Sequence, residues 1–159
     1  IVLALMIAIA TNTVFSTAAF LITFIIIRQY IGGYHAKTHF GCMLILAVVL
    51  GGFSVLTECI PKQFEIWISV ISIIMSILLI FRFAPVEHPN KPLSVNEKVR
   101  LRKRGLISVF IVSMFIFVMI VFTVTSRYGM YISLGQFTAS TAMLCEIIKH
   151  KRNNANYEN

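Results

Sequence analysis

Apolar residues occur along this chain in long runs that short polar connections separate. A helix that crosses the hydrocarbon core of a bilayer needs about 20 mostly apolar residues. The opening run is too long for one such helix, and Thr11-Asn12-Thr13 interrupts it, so we predict a turn there. We predict an all-α, polytopic transmembrane helical bundle of about six helices, the first of them truncated. The predicted spans are residues 1–10 (partial), 13–28, 42–57, 64–83, 106–125 and 128–148.

The composition is that of a membrane protein. Hydrophobic residues make up 58% of the 159 residues, charged residues make up 13%, and the mean hydropathy is +0.86. Soluble domains carry about 25% charged residues. Folded in water, this chain would expose a large apolar surface, so a disordered chain, a secreted scaffold and a soluble enzyme are excluded. We interpret residues 1–159 as a single integral membrane domain.

The positive charges predict the orientation of the bundle. The net charge is +8, and all 14 Lys and Arg residues except Lys62 and Arg127 fall on one side of the predicted spans. Cytoplasmic loops carry an excess of Lys and Arg, so we expect the loops 29–41 and 84–105 and the C-terminus to be cytoplasmic. In a multi-pass protein of the cell membrane this charge contacts anionic lipids, and we expect no nucleic-acid partner.

The loop 84–105 is predicted to be extended in its first half and helical in its second. Pro85, Pro89 and Pro92 favour extended backbone. Ser94 and Glu97 have the spacing of a capping box, which marks the start of a helix that continues through Gly105 into the next span. This helix carries a basic cluster that can bind lipid headgroups, an acidic peptide, or both. The basic cluster consists of Lys98, Arg100, Arg102, Lys103 and Arg104.

Candidate chemistry concentrates in the segment RQYIGGYHAKTHFGC, from Arg28 to Cys42. Ionisable groups embedded in a membrane are costly, so such a cluster is a functional candidate. A cysteine acts as a nucleophile when it is a thiolate, and the imidazole of His35 could remove the thiol proton of Cys42. In one straight helix these two residues would be about 10 Å apart, beyond hydrogen-bond reach. A Cys–His pair within one chain therefore needs a bend, which Gly32-Gly33 and Gly41 would permit.

Two other interpretations of this segment stay open. Cys42 could be an inert buried thiol beside an interfacial histidine. Alternatively, His35, His39 and Cys42 have a spacing that could bind a metal ion, although this set has no clear fourth ligand.

Polar residues in and near the later spans are weaker candidates. We interpret Cys59 and Cys145 as structural thiols, and Glu146 with Lys149 as an ion pair on a helix surface. Gln136, Ser140 and Thr141 could line a cavity, but helix packing is the simpler account of them.

Two blocks of the sequence together resemble one family. The first runs from Arg28 through GGYHA (residues 32–36) to Cys42, and the second is APVEHPNKPL (residues 84–93) followed by the basic cluster. Both blocks, in this order and topological position, resemble the accessory gene regulator protein B family, membrane cysteine endopeptidases that process quorum-sensing peptide precursors.

This resemblance implies a role for each site residue. Cys42 would be the catalytic nucleophile and His35 its base, with Arg28, Gly32 and Gly33 supporting the active loop. Lys91 and the basic cluster would bind an acidic segment of the substrate. The implied fold is a membrane-embedded helical domain, and the implied enzyme uses no cofactor and no metal. The family also implies a homodimer.

The implied reaction begins with cleavage of the C-terminal segment from a propeptide, which leaves an acyl-thioester on Cys42. A second nucleophile in the peptide then closes a thiolactone or lactone ring. The expected partner is a propeptide with an amphipathic leader at the membrane and an acidic C-terminal segment. The alternatives are a non-catalytic membrane peptide exporter or binding protein, which would not need Cys42, and a metal-dependent membrane hydrolase using His35, His39 and Cys42.

Overall fold

The computed structural model describes residues 6, 8–9, 12–32, 39–86, 94–121 and 126–157, and only the backbone of residues 39–43, 58 and 150–157. The described residues form a helical bundle and contain no strand, which confirms the predicted all-α class. The predicted partial span 1–10 lies almost wholly outside the described residues. The helices are α1 (Val14–Ile31), α2 (His39–Cys59), α3 (Lys62–Phe83), α4 (Val95–Val121) and α5 (Ser126–Tyr157).

Among the described residues, three helices have the length and composition needed to cross a bilayer, namely α1, α3 and α4. The apolar part of α2, Leu44–Thr57, is shorter. Large apolar side chains cover the outward faces, as shown by Phe15 (79% exposed) and Trp67 (65% exposed). Such surfaces would aggregate in water but match lipid tails, so the structure confirms a membrane helical bundle.

Helix α5 is the central helix of the bundle. It packs closely against α1, α3 and α4, and all its side chains from residue 130 to residue 136 are buried. Its polar side chains bond within the bundle, since Ser140 Oγ donates to the Gln136 carbonyl and Gln136 Nε2 donates to Ser113 Oγ (3.2 Å). Polar groups in a membrane are stable when they face protein in this way. Packing therefore accounts for Gln136 and Ser140, as predicted.

A glycine permits the closest approach of α1 to α5. A Cβ atom on Gly135 would lie 2.6 Å from the backbone oxygen of Phe20. Small residues at such crossings let helix backbones approach in membranes, where packing rather than the hydrophobic effect drives association. Phe20 itself is buried and stacks on Phe24, which extends the contact along α1.

Helix α2 packs less closely. It is absent from the closely packed helix pairs among the described residues. Leu50, near its middle, belongs to the buried core. Towards its C-terminal end, Thr57 Oγ1 and Tyr131 OH are 2.6 Å apart and the ring of Phe53 tilts against Phe20 (centroids 6.0 Å apart).

Several helix boundaries differ from the predicted ones. Helix α1 continues to Ile31 because Gly32, with φ 75°, is the first residue that departs from helical backbone. Helix α2 begins at His39 rather than at residue 42, so the first loop is shorter than the predicted 29–41. Helix α5 extends to Tyr157, nine residues past the predicted end. By contrast, α4 runs without a break from Val95 through Gly105, as predicted.

Polar contacts join α3 and α5 at one end of the bundle. Glu65, in the first turn of α3 and only 1% exposed, accepts a hydrogen bond from Ser126 Oγ (2.6 Å). Its other carboxylate oxygen lies 3.4 Å from Arg127 Nε. Pairing offsets the cost of burying this charge, and the α3 N-terminus also favours an anion. Lys62 and Arg127, the two exceptions to the charge asymmetry, both lie at this end.

The turn at the start of α1 is confirmed for the residues described. Asn12 adopts φ 54°, and the Thr13 N–H donates to the Ala8 carbonyl (2.8 Å). Asparagine tolerates this left-handed conformation better than most residues.

We expect Gly135→Ala to lower stability. The added methyl group must push the α5 backbone away from Phe20, and overpacking of this kind typically costs about 1–3 kcal/mol. Thermal unfolding of the purified protein in lipid nanodiscs measures the effect. The matched control is Gly52→Ala in α2, where a Cβ meets nothing within 4 Å and alanine favours the helix. Equal midpoints for both variants would contradict the close approach at Gly135.

Candidate active site at one end of the bundle

The two sequence blocks meet at the end of the bundle opposite Glu65. The Val86 N–H donates to the Ile31 carbonyl (3.1 Å), which attaches the segment after α3 to the last turn of α1. Gly32 adopts φ 75° and ψ −171°, a region that is essentially restricted to glycine. A Cβ atom there would also lie 2.6 Å from the Val86 oxygen. Both the backbone conformation at position 32 and the close approach of the Val86 oxygen therefore require glycine.

Helix α4 joins this contact through a second glycine. A Cβ on Gly105 would lie 3.2 Å from Ile31 Cγ2 and 3.7 Å from Tyr30 Cβ, so α4 passes close beside the end of α1. The basic cluster occupies the turns of α4 just before Gly105. Gly32, which was predicted to support the active loop, and the basic cluster thus lie at the same end of the bundle.

The start of α4 is capped as the sequence predicts. Glu97 Oε2 accepts hydrogen bonds from the Ser94 N–H (2.9 Å) and the Ser94 hydroxyl (2.8 Å). The Glu97 N–H donates in return to Ser94 Oγ (3.3 Å). This reciprocal capping box confirms that the basic cluster is helical.

One member of the basic cluster has a structural contact that the sequence did not predict. Arg102 Nη2 donates to the Phe81 carbonyl (3.1 Å), and its guanidinium lies over the Phe81 ring. A cation at a helix C-terminus bonds its last carbonyls and interacts favourably with its dipole. Arg102 therefore links α4 to the end of α3. Arg100, Lys103 and Arg104 are exposed to solvent on the same helix.

A cavity of about 370 Å³ lies between α1, α2 and α5. Its wall is almost entirely apolar, because the hydroxyls of Thr138 and Thr141 donate to carbonyls of their own helix. The sequence allowed Thr141 to line a cavity but favoured packing as the simpler account, and the structure places Thr141 in the cavity wall. Nine of the described residues line the cavity: Phe24, Arg28, Ile45, Leu46, Val49, Thr138, Thr141, Ala142 and Cys145.

Arg28 is the charged residue of this lining. It is half-buried in the last turn of α1, with its guanidinium 5.3 Å from the centroid of the Phe24 ring. A cation–π contact of this kind holds the guanidinium against an apolar wall.

The helical register of α2 relates Cys42 to the cavity. Cys42 is the fourth residue of α2, within its first turn. It precedes Ile45 by three residues, Leu46 by four and Val49 by seven, and residues so spaced share one face of a helix. Backbone position 42 therefore lies on the cavity face, at the helix end where N–H groups have no partner within the helix.

The remaining predicted site residues are not tested by the structure. Gly33, His35 and Lys91 lie outside the described residues, and only the backbone of His39 and Cys42 is described. The Cys42–His35 pair and the alternative metal set with His39 both stay predictions. Within the described residues, no group of three His, Cys, Asp or Glu side chains could hold a metal ion.

Glu146 is buried, which corrects its assignment to a helix surface. It is 3% exposed, and its Oε2 lies 3.7 Å from Lys149 Nζ. The signal in the sequence was its position, seven residues after Ala139 and three after Met143, on the core face of α5. The thiols of Cys59 and Cys145 are free and exposed, Cys145 at the cavity and Cys59 towards the Glu65 end.

We expect Gly32→Ala to detach the two loops from each other. The methyl group clashes with the Val86 oxygen, and the backbone conformation costs about 1–3 kcal/mol for a residue other than glycine. Hydrogen exchange of the Val86 amide, measured by mass spectrometry, should become faster. Gly52→Ala is again the control, and unchanged exchange in Gly32→Ala would contradict this account of the junction.

Comparison with known proteins agrees with the family resemblance of the two sequence blocks. The family model for accessory gene regulator B matches residues 1–148. A protein named AgrB-like from Clostridium perfringens (strain SM101, type A) is 28% identical over 142 residues, which cover 86% of this chain and 63% of that protein. AgrB-like protein 2 of C. perfringens (strain 13, type A) is 28% identical over 121 residues, covering 73% of this chain and 56% of that protein. The chain thus spans about three fifths of the length of these relatives, and no solved structure matches it. Because the family model covers nearly all of the sequence, this chain belongs to the accessory gene regulator B family.

Proposed function

We propose that this protein is a membrane-embedded cysteine endopeptidase that cleaves a quorum-sensing propeptide, with Cys42 as nucleophile and His35 as base. Family membership supports a role in processing quorum-sensing peptides. The observation that carries the proposal is the placement of Cys42 in the first turn of α2, on the face that continues into the wall of the cavity.

The helix end favours the required chemistry. The first turn of a helix has a partial positive charge and unpaired N–H groups, which stabilise a thiolate. His35 lies in the connection before α2, and in this proposal its imidazole accepts the thiol proton. Sγ then attacks the scissile carbonyl carbon, and the N–H groups of the helix start are donors that could stabilise the oxyanion.

The intermediate is an acyl-thioester on Cys42. When the C–N bond breaks, the imidazolium of His35 returns its proton to the leaving amine of the C-terminal segment. A thiol or hydroxyl within the peptide then attacks the thioester carbonyl, closes the ring and releases Cys42. Holding this second nucleophile close to the acyl group replaces a bimolecular step by an intramolecular one.

The basic cluster provides a surface for an acidic segment of the propeptide. Arg100, Lys103 and Arg104 are exposed within the first three turns of α4, and α4 adjoins the Gly32 junction. Lys91 and Lys98 extend the same positive surface in the sequence. Opposite charges of this kind steer association and orient the bound partner. Arg28, Gly32 and Gly33 would hold the active loop in place.

We place this end of the bundle in the cytoplasm. The loops that follow α1 and α3 meet there through Gly32 and Val86. Helix α5 starts beside Glu65 at the other end, so its C-terminus points to the same side as Gly32. An amphipathic leader of the propeptide would lie on the inner leaflet beside this end. A homodimer stays a prediction.

We expect Cys42→Ala to abolish cleavage of the propeptide, because alanine has no nucleophile. Wild type and variant are reconstituted in lipid nanodiscs with propeptide, and mass spectrometry measures the released C-terminal segment. Cys59→Ala removes a thiol at the opposite end and should retain wild-type cleavage. Full activity of Cys42→Ala would contradict the proposal, and loss of wild-type activity on addition of a chelator would instead support the metal-dependent hydrolase. A peptide that is transported but not cleaved would support the exporter.

We expect Arg104→Gln and Arg102→Gln to have different effects. Arg104→Gln removes an exposed charge and should weaken propeptide binding by up to about fivefold, corresponding to at most about 1 kcal/mol for an exposed pair. This loss should vanish at 1 M salt, where charges are screened beyond about 3 Å. Arg102→Gln breaks the bond to the Phe81 carbonyl and should lower the thermal unfolding midpoint. Binding isotherms at two salt concentrations and thermal unfolding test this. A lower unfolding midpoint for Arg104→Gln, with a salt-sensitive loss of binding for Arg102→Gln alone, would refute it.

A further inference from the structure

The cavity beside Cys42 has no role in the steps of catalysis described above. We propose that it binds the apolar side chain that immediately precedes the scissile bond of the propeptide. This inference rests on the proposed function, because it takes the acyl group on Cys42 as its starting point. It assigns a specificity determinant to residues of α1, α2 and α5.

The size and wall of the cavity suit an apolar side chain. At about 370 Å³ it lies at the lower end of the 300–1,000 Å³ typical of ligand sites, which is enough for one large side chain and part of a neighbour. Phe24, Ile45, Leu46 and Val49 supply apolar walls from two helices, and Ala142 forms part of the wall on the third. A positively charged side chain entering it would lose its hydration and meet the like charge of Arg28.

The distance along α2 fits an acyl group on Cys42. One helical turn, about 5.4 Å, separates position 42 from Ile45 and Leu46 on the same face. In an acyl-thioester, the side chain of the acyl residue branches from the carbon next to the thioester carbonyl. A large apolar side chain can therefore extend from Cys42 into the cavity while its carbonyl stays at the start of the helix.

Arg28 favours a peptide over a lipid tail as the occupant. A lipid tail would fill the apolar wall but has no group for the guanidinium at the cavity's edge. A peptide carries backbone carbonyl oxygens beside every side chain, and a guanidinium with five N–H groups can donate to them in addition to its other contacts. The stacking of Arg28 on Phe24 keeps the guanidinium next to this wall.

The experiment compares three probes that alkylate thiols and differ only in their side chain. Acetyl-phenylalanyl, acetyl-alanyl and acetyl-lysyl chloromethyl ketones each form a thioether with Cys42 and release chloride. The protein is held in nanodiscs of phosphatidylethanolamine and phosphatidylglycerol, and mass spectrometry of peptides measures the rate at Cys42. We expect the phenylalanyl probe to react at least about tenfold faster than the alanyl probe, and the lysyl probe to be slowest.

Two variants separate the cavity from the bilayer as the source of this preference. Ala142→Phe fills the cavity and should reduce the preference for the phenylalanyl probe over the alanyl probe to below about twofold. Val48→Phe places the same side chain on the neighbouring lipid-facing position of α2, which is 65% exposed, and should keep the full preference. Iodoacetamide, which has no side chain, should label Cys42 at the same rate in all three proteins.

The result that overturns the inference is equally specific. It fails if the wild-type protein shows no preference for the phenylalanyl probe, a comparison that needs no variant to fold. It also fails if Ala142→Phe keeps the same preference as Val48→Phe, since the probe would then be concentrated by the lipid. Propeptide cleavage is measured on unreacted protein from the same wild-type preparation. Cleavage without probe preference overturns the side-chain site alone, whereas probe preference without cleavage overturns the proposed peptidase and leaves the site.

Discussion

The close approach of α1 to α5 at Gly135 determines the geometry of the rest of the bundle. Both helices run from the Glu65 end towards the Gly32 end, and the missing Cβ lets their backbones meet. Arg28, about two turns after Phe20 on α1, lines the cavity together with Thr138, Thr141 and Cys145 of α5. Among the described residues, α2 packs less closely on its neighbours, and the space between α2, α1 and α5 is the cavity. Tight packing of one helix pair and looser packing of its neighbour thus create the site.

The second determinant is the junction between the two loops. Gly32 ends α1 in a conformation that other residues rarely adopt, and the backbone of Val86 occupies the place where a side chain would stand. The start of the loop that follows α1 is therefore attached to the segment after α3 at Ile31 and Gly32. Through Gly105, the same junction includes the helix that carries the basic cluster. The loop proposed for catalysis and the helix proposed for substrate binding are thus neighbouring parts of one structural unit.

Hydropathy and local motifs predicted the features that depend on nearby residues. The apolar runs indicated the helices, and the spacing of Ser94 and Glu97 indicated where α4 starts. Features that depend on contacts between distant residues could not be predicted in this way. The bond from Arg102 to the Phe81 carbonyl joins residues that are 21 positions apart, and the bond from the Val86 N–H to the Ile31 carbonyl joins the two sequence blocks.

For the same reason, only part of the candidate site was predicted. The two sequence blocks indicated which residues to consider, and Gly32 and Arg28 lie where an active loop would need support. The cavity was not predicted, because its lining comes from three helices and no single segment carries its pattern. The Cys42–His35 pair stays a prediction that rests on the chemistry of the two side chains and on the family.

The most direct test of the central claim is to trap the acyl-enzyme. A propeptide whose ring-closing nucleophile is replaced by alanine can acylate the enzyme but cannot cyclise, so the thioester should accumulate when water is excluded. Intact-mass spectrometry of the protein in nanodiscs should show an added mass equal to the N-terminal part of the propeptide. Hydroxylamine should remove this mass, and peptide mapping should locate it on Cys42. Release of the C-terminal segment without any adduct, or with an adduct on another residue, would contradict Cys42 as the nucleophile.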